Sequence, residues 1–157
     1  MISLALLGGG GAVVVLLDAA TKKRPETVGG PVKLTPNFTT EEFKCKDGST
    51  VPASMVPQVQ RVAEALEVIR AACGGAAVTV ISGYRSPAYN TKIGGAKASQ
   101  HMNGKAADIQ VKGMAPHDVA DIVEGLQVAG KIPKGGCGRY ATFTHVDVRG
   151  YNSRWVG

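Results

Sequence analysis

Two segments far apart in this chain have to meet. Ser99–Asp108, SQHMNGKAAD, sets His101 and Asp108 around Gly104, with the small residues Ala106 and Ala107 between. Far downstream, Thr144-His145-Val146-Asp147-Val148 alternates polar and apolar residues and supplies a second histidine. A lone histidine is more often a satisfied core or surface residue than a ligand. Two imidazoles and one carboxylate, however, make a three-ligand set that leaves zinc an open fourth position for water, the arrangement of a catalytic site. His101, Asp108 and His145 are therefore the candidate ligands of one zinc ion.

At 157 residues the chain has room for one domain with a real core. Glycines are many and aromatics few, so loops should be plentiful. The net charge of +6 suits a polyanionic partner such as nucleic acid, an anionic membrane or a bacterial cell wall, and equally a merely soluble surface. The basic residues are scattered and not interleaved with aromatics, so no nucleic-acid partner is expected. Cys45, Cys73 and Cys137 are an odd number without CxxC spacing, which argues against a zinc knuckle or a full disulfide framework. One bridge plus a free thiol, or three reduced thiols, both fit.

Met1–Leu17 is apolar with a four-glycine run, short for a bilayer span and without the basic start of a signal peptide. Residues 1–20 read as a weak membrane anchor or a segment buried against a partner such as a virion protein. Residues 21–33, with Pro25, Gly29, Gly30 and Pro31, read as a linker. The folded domain is expected over 34–157.

Within it, Thr39-Thr40-Glu41-Glu42 fits a capping box opening a short helix through Phe43. Between Ser54 and Cys73, Val59, Val62, Ala63, Leu66, Ile69 and Cys73 fall on one helical face, and Gly74-Gly75 ends the helix. Ala77–Ser82 is β-branched and apolar and reads as a strand broken by Gly83. Tyr84, a candidate for substrate contact, and Arg85 stand just beyond it. Pro87–Lys97 reads as a loop and Ala106–Val111 as a second strand. Pro116 can open another helix, with Asp118 near its positive end and an apolar stripe of Val119, Ile122, Val123 and Leu126. Gly130–Gly138 reads as a turn region and Thr142–Val148 as the last clear strand, with His145 and Asp147 on one face. The order implies an α+β domain, a small antiparallel sheet with helices packed on one face.

Zinc held by these ligands would bring the pKa of its water towards neutrality, and a nearby cation is then needed for the oxyanion of a tetrahedral intermediate. Arg85, at a strand end in SGYRS, is the best-placed candidate; pairing with a surface carboxylate is the plainer reading of an isolated arginine.

SGYRSPAYN, SQHMNGKAADI and THVDVRG, in this order and spacing, resemble the zinc D,D-carboxypeptidase/endopeptidase family that cleaves bacterial cell-wall peptides, the M15 peptidases or LAS enzymes. Short phage and bacterial members also open with a segment like LTPNFTTEEFKCKDG, so the resemblance covers roughly Leu34–Trp155. It implies the LAS-type fold, one zinc on His101, Asp108 and His145, Arg85 polarising the scissile carbonyl and Ser99 positioning substrate. It also implies a peptidase acting at the bacterial cell wall, in the periplasm or outside the cell, on peptidoglycan stem peptides or cross-links next to D-alanine. A phage lysin is one form this could take. Many relatives carry an acidic base three residues before the last ligand, or a histidine two before it. Thr142 and Phe143 stand there in this chain. Asp147, on the face of His145, is the substitute base, or else a residue that orients an imidazole. The alternative function is a wall-binding or virion structural module that keeps the fold with little or no catalysis.

Overall fold

The computed structural model describes residues 30–157. The expected apolar segment 1–20, and most of the linker expected over 21–33, lie outside the described residues. Among the described residues no helix is long and apolar enough to cross a membrane.

Helix α1 runs over Val56–Ala72, entered through a 3-10 turn at Ala53–Met55 and carrying Pro57 in its first turn, where a missing N–H is harmless. Its expected stripe, Val59, Val62, Ala63, Leu66 and Ile69, is buried throughout. Strand β1 follows at Val78–Ser82, helix α2 at Pro87–Lys92, and β2 at Ala106–Val111. Helix α3, Pro116–Val128, has Pro116 and Asp118 in its first turn and buries Val119 and Val123; Ile122 and Leu126 are half-buried. Three short strands close the chain: β3 Gly136–Arg139, β4 Thr144–Asp147 and β5 Ser153–Val156.

The five strands lie in the order β1-β2-β4-β3-β5. Three of the four pairings are antiparallel as expected, but β5 joins β3 in parallel, so the sheet is mixed. Pairing register decides which side chains share a face. Ser82 lies opposite Asp108, Asp108 opposite His145, His145 opposite Gly138, and Gly138 opposite Trp155. These five residues form one row across the sheet. A bulge between Val80 and Ser82 in β1 brings Ser82 into that row. Because strand side chains alternate, Ala107, Ile109, Val146 and Cys137 point the other way, into the core with α1 and α3. The sheet therefore has a greasy face covered by two helices and an opposite face carrying the chemistry.

Four local expectations change. Pro87–Lys92 is a helix, capped by Ser86, whose hydroxyl accepts from the Tyr89 N–H at 3.1 Å. Gly136–Arg139 is a strand, although its sequence, GCGR, reads as turn; pairing on both sides holds it extended. Ser153–Val156 adds a strand beyond the one expected to be last. At Thr39 the Glu42 carboxylate does accept from the Thr39 N–H at 2.9 Å, yet only a turn results. The reason is that the Cys45 N–H, which a helix would direct at Glu41, is given to Ser49 O at 2.9 Å. All three cysteines are free and buried, and burial pushes the Cys137 thiol up to about 12.

Candidate metal centre

His101, Asp108 and His145 converge. Asp108 and His145 are cross-strand partners on β2 and β4, and His101 reaches them from a 3-10 turn, Gln100–Asn103. That turn stops at Gly104 in the left-handed region, φ 64°, and returns the chain into β2. His101 Nε2 lies 3.2 Å from Asp108 Oδ1 and 3.2 Å from His145 Nδ1, and His145 Nδ1 lies 2.8 Å from Asp108 Oδ1. Zinc bonds of about 2.0–2.1 Å in tetrahedral geometry would set ligand atoms roughly 3.3 Å apart. The triangle matches that spacing closely.

The outer contacts decide which atoms face inward. His101 Nδ1–H donates to Gly83 O at 2.6 Å, and the Arg85 N–H returns a bond to His101 O at 3.1 Å. His145 Nε2–H donates to Asp147 Oδ2 at 3.1 Å. With those protons outward, Nε2 of His101 and Nδ1 of His145 present lone pairs towards a carboxylate oxygen. Three electron-rich atoms in mutual contact, all buried, make a group that could hold a cation. Burial would raise the Asp108 carboxyl, but its bonds to His101 and His145 and their charges outweigh burial and hold it well below the usual range. Burial lowers His101, whereas for His145 the Asp108 and Asp147 carboxylates overcome burial and raise it. The donor set, two imidazoles and a carboxylate, suits zinc.

Arg85 stands at the centre's edge. Its Nη2 donates to Asp108 Oδ2 at 2.5 Å and its Nε to Ser82 Oγ at 3.0 Å. Ser99 immediately precedes the 3-10 turn and, like Arg85, lines a cavity of about 500 Å³ over the three candidate ligands. Tyr84 does not reach that cavity. In the extended segment after β1, neighbours point to opposite sides, so with Arg85 at the cavity Tyr84 is 6% exposed in the core. Its expected substrate contact is thereby corrected. Asp147 is on the face of His145 as expected, but it is fully buried behind the ring. It accepts from His145 Nε2, the Gly136 N–H at 2.8 Å, and the Arg149 N–H and guanidinium. That is the orienting position, on the far nitrogen of a ligand, and not the position of a base facing the cavity.

The family model described as Peptidase M15 matches residues 36–147, a span that contains all three convergent side chains. The chain belongs to the M15 peptidase family. The comparison with curated proteins finds no match. M15 peptidases are in general zinc-dependent, and the His-Asp-His group here is of the kind that could hold the ion.

Sequence reasoning missed the far wall of this peptidase's cavity. Tyr140 and Phe143 stack with ring centroids 4.2 Å apart, and Trp155 Nε1–H donates to the Tyr140 hydroxyl at 2.9 Å. The Trp155 ring lies 5.0 Å from His145 and directly over Gly138, where a Cβ would come within 2.6 Å of it. Arg149 completes the wall. The signal available was Gly138 itself, a residue without a side chain in the middle of the sheet, where backbone and ring approach closely.

Proposed function

We propose that this M15 peptidase is zinc-dependent and hydrolyses peptide bonds in bacterial peptidoglycan, in stem peptides or cross-links next to D-alanine, acting at the cell wall. The observation that carries the reading is the convergence of His101 Nε2, Asp108 Oδ1 and His145 Nδ1 at tetrahedral ligand spacing beneath an open cavity. Zinc, when bound, supplies Lewis-acid polarisation and activates water for attack at neutral pH. The chain supplies the rest. Gly83 O and Asp147 fix the two imidazoles in the ligating tautomer. Arg85 holds Asp108 through Nη2, while its Nη1 makes no hydrogen bond among the described residues and is free to meet developing negative charge on a scissile carbonyl. Ser99 offers its hydroxyl from the cavity rim. The Tyr140 hydroxyl, already accepting from Trp155, keeps its own proton to donate into the cavity.

The test is digestion of purified peptidoglycan, with the released fragments identified by mass. New amino termini at D-alanine-linked bonds, abolished by chelation and restored by zinc, are expected. Among the described residues that line the cavity Asp108 is the one carboxylate, and as a ligand it would be no proton carrier. That observation favours the second reading, a wall-binding or virion module. Cosedimentation with cell walls without release of any fragment would establish it instead.

A further inference from the structure

The aromatic wall is carried by a weak turn. Tyr140 and Phe143 close the two-residue hairpin between β3 and β4, and Ala141 and Thr142 form its tip. Hairpins this tight are best made with positive φ at the tip, yet neither Ala141 nor Thr142 has it. The closing pair is correspondingly thin. The Tyr140 N–H donates to Phe143 O at 3.2 Å, and no return bond forms among the described residues. Behind the tip lies space rather than core: Ala141 and Thr142 are exposed and, with Gln110, line a second cavity of about 430 Å³.

Two side-chain bonds hold the turn from its two flanks. On one, Trp155 Nε1–H donates to the Tyr140 hydroxyl at 2.9 Å. On the other, Gln110 Nε2–H donates to Thr142 O at 2.8 Å. Gln110 lies two residues beyond Asp108 on β2 and so on the same face, where pairing with β4 has already ended at Ile109 and Thr144. Its amide bridges two segments whose backbones have parted.

We propose that Gln110 is a positioning residue: it latches the Tyr140–Phe143 turn, sets how far the two rings reach over the metal centre, and so limits the size of the substrate side chain that fits beneath them. Elsewhere the cavity is lined by Gly94, Gly95, Ala96 and Ala98, which carry nothing longer than a methyl group, so the position of the rings decides the fit. A released turn has the second cavity to move into, and the rings move with it. The size limit rests on the peptidase reading above and deepens it, whereas the latch is a property of the fold alone.

Gln110 is exposed, so its replacement leaves the core intact. Gln110→Glu keeps the shape but presents a carboxylate, which cannot donate to Thr142 O at neutral pH, while Gln110→Arg keeps a donor. Trp155, the single tryptophan of the chain, is bonded to the turn and reports its position. In a first measurement the full chain, with neither metal nor peptide, is quenched with acrylamide. The quenching constant should rise about twofold or more in Gln110→Glu, the effect of one lost hydrogen bond on a two-state turn, and return towards the parent's in Gln110→Arg. Lys112→Ala should leave it unmoved, since Lys112 lines the second cavity without a hydrogen bond to the turn among the described residues. In a second, the zinc-loaded protein is mixed with peptides carrying D-alanine or D-leucine before the scissile bond, and Trp155 emission is read before turnover. The parent should bind the D-alanine peptide about tenfold more tightly, and in Gln110→Glu that ratio should fall about threefold or more. A parent that does not distinguish the peptides, or a Gln110→Glu protein in which either measure stays at the parent's value, overturns the proposal. Both measures moved without fragment release from peptidoglycan leaves the latch standing and removes the peptidase, whereas fragment release with neither moved does the reverse.

Discussion

His145 is held from two sides, with Asp108 at Nδ1 and Asp147 at Nε2, and the second contact sets what the first can do. An amide at position 147 could still accept from Nε2–H but would not support a buried imidazole with negative charge. Asp147→Asn is therefore expected to weaken zinc binding by about 10–100-fold, with turnover near the parent once zinc is saturating. Zinc titration alongside peptide hydrolysis checks this, and lost turnover at full occupancy would instead give Asp147 a part in proton transfer. Arg85 divides differently. Reading it from sequence as an oxyanion group alone predicts that its loss spares the metal, but its Nη2 also grips the outer oxygen of a ligand. Arg85→Ala is expected to lower turnover on the order of 100-fold and, in addition, to weaken zinc binding measurably. Unchanged turnover at saturating zinc would remove Arg85 from the chemistry.

Strand β5 is the element that turns an open sheet face into a walled cavity, and it does so through Trp155, laid over Gly138 and bonded to Tyr140. A methyl group on Gly138 would meet ring atoms at 2.6 Å, well inside van der Waals contact, so Gly138→Ala should displace the indole and cost about 1–3 kcal/mol. A red-shifted emission from the single tryptophan, with a lower unfolding midpoint, is the expected signature. This wall was also the part least legible in advance. Helix α1 was readable because burial imposes a period on it, and the ligand trio because its residue types are rare in combination. GCGR carries no β-preference and SRWV is too short for a period, so β3 and β5 exist by pairing alone. Asp147 was legible as to its side of the strand, and of its two expected roles the structure shows the orienting contact, because a residue's neighbours along the chain indicate its side and not what stands opposite. Helix α2 was the opposite case, since Ser86 and Pro87 are a legible start that the surrounding loop-like composition obscured.

The site joins two parts of the fold that respond to different conditions. Away from the metal, Glu67 on α1 accepts from Thr35 Oγ1 at 2.7 Å, the Asn37 N–H at 2.8 Å and Asn37 Nδ2 at 2.8 Å, tying the segment before the first helix to the core. Burial would raise this carboxyl, but those bonds and Arg70 outweigh it and lower it from 4.5. A carboxyl depressed on folding contributes stability above its unfolded value and loses it as pH falls through the folded one. Glu67→Gln should therefore cost about 1–2 kcal/mol at pH 7 and progressively less below about pH 4.5, a convergence that denaturation at several pH values would reveal. The metal centre links stability to a ligand instead. Two of its residues come from paired strands in the middle of the sheet and one from the turn that feeds β2, so an ion bound there holds β2, β4 and the 100–103 turn to one another. Free zinc at about 1,000 times its dissociation constant adds roughly 4 kcal/mol, or on the order of 10–15 °C in the unfolding midpoint of a domain this size. Chelation should reverse the shift. His145→Ala removes a ligand and should abolish it, whereas Glu67→Gln, away from the metal centre, should retain it. A midpoint indifferent to zinc in the parent would mean that the three side chains meet without holding the ion.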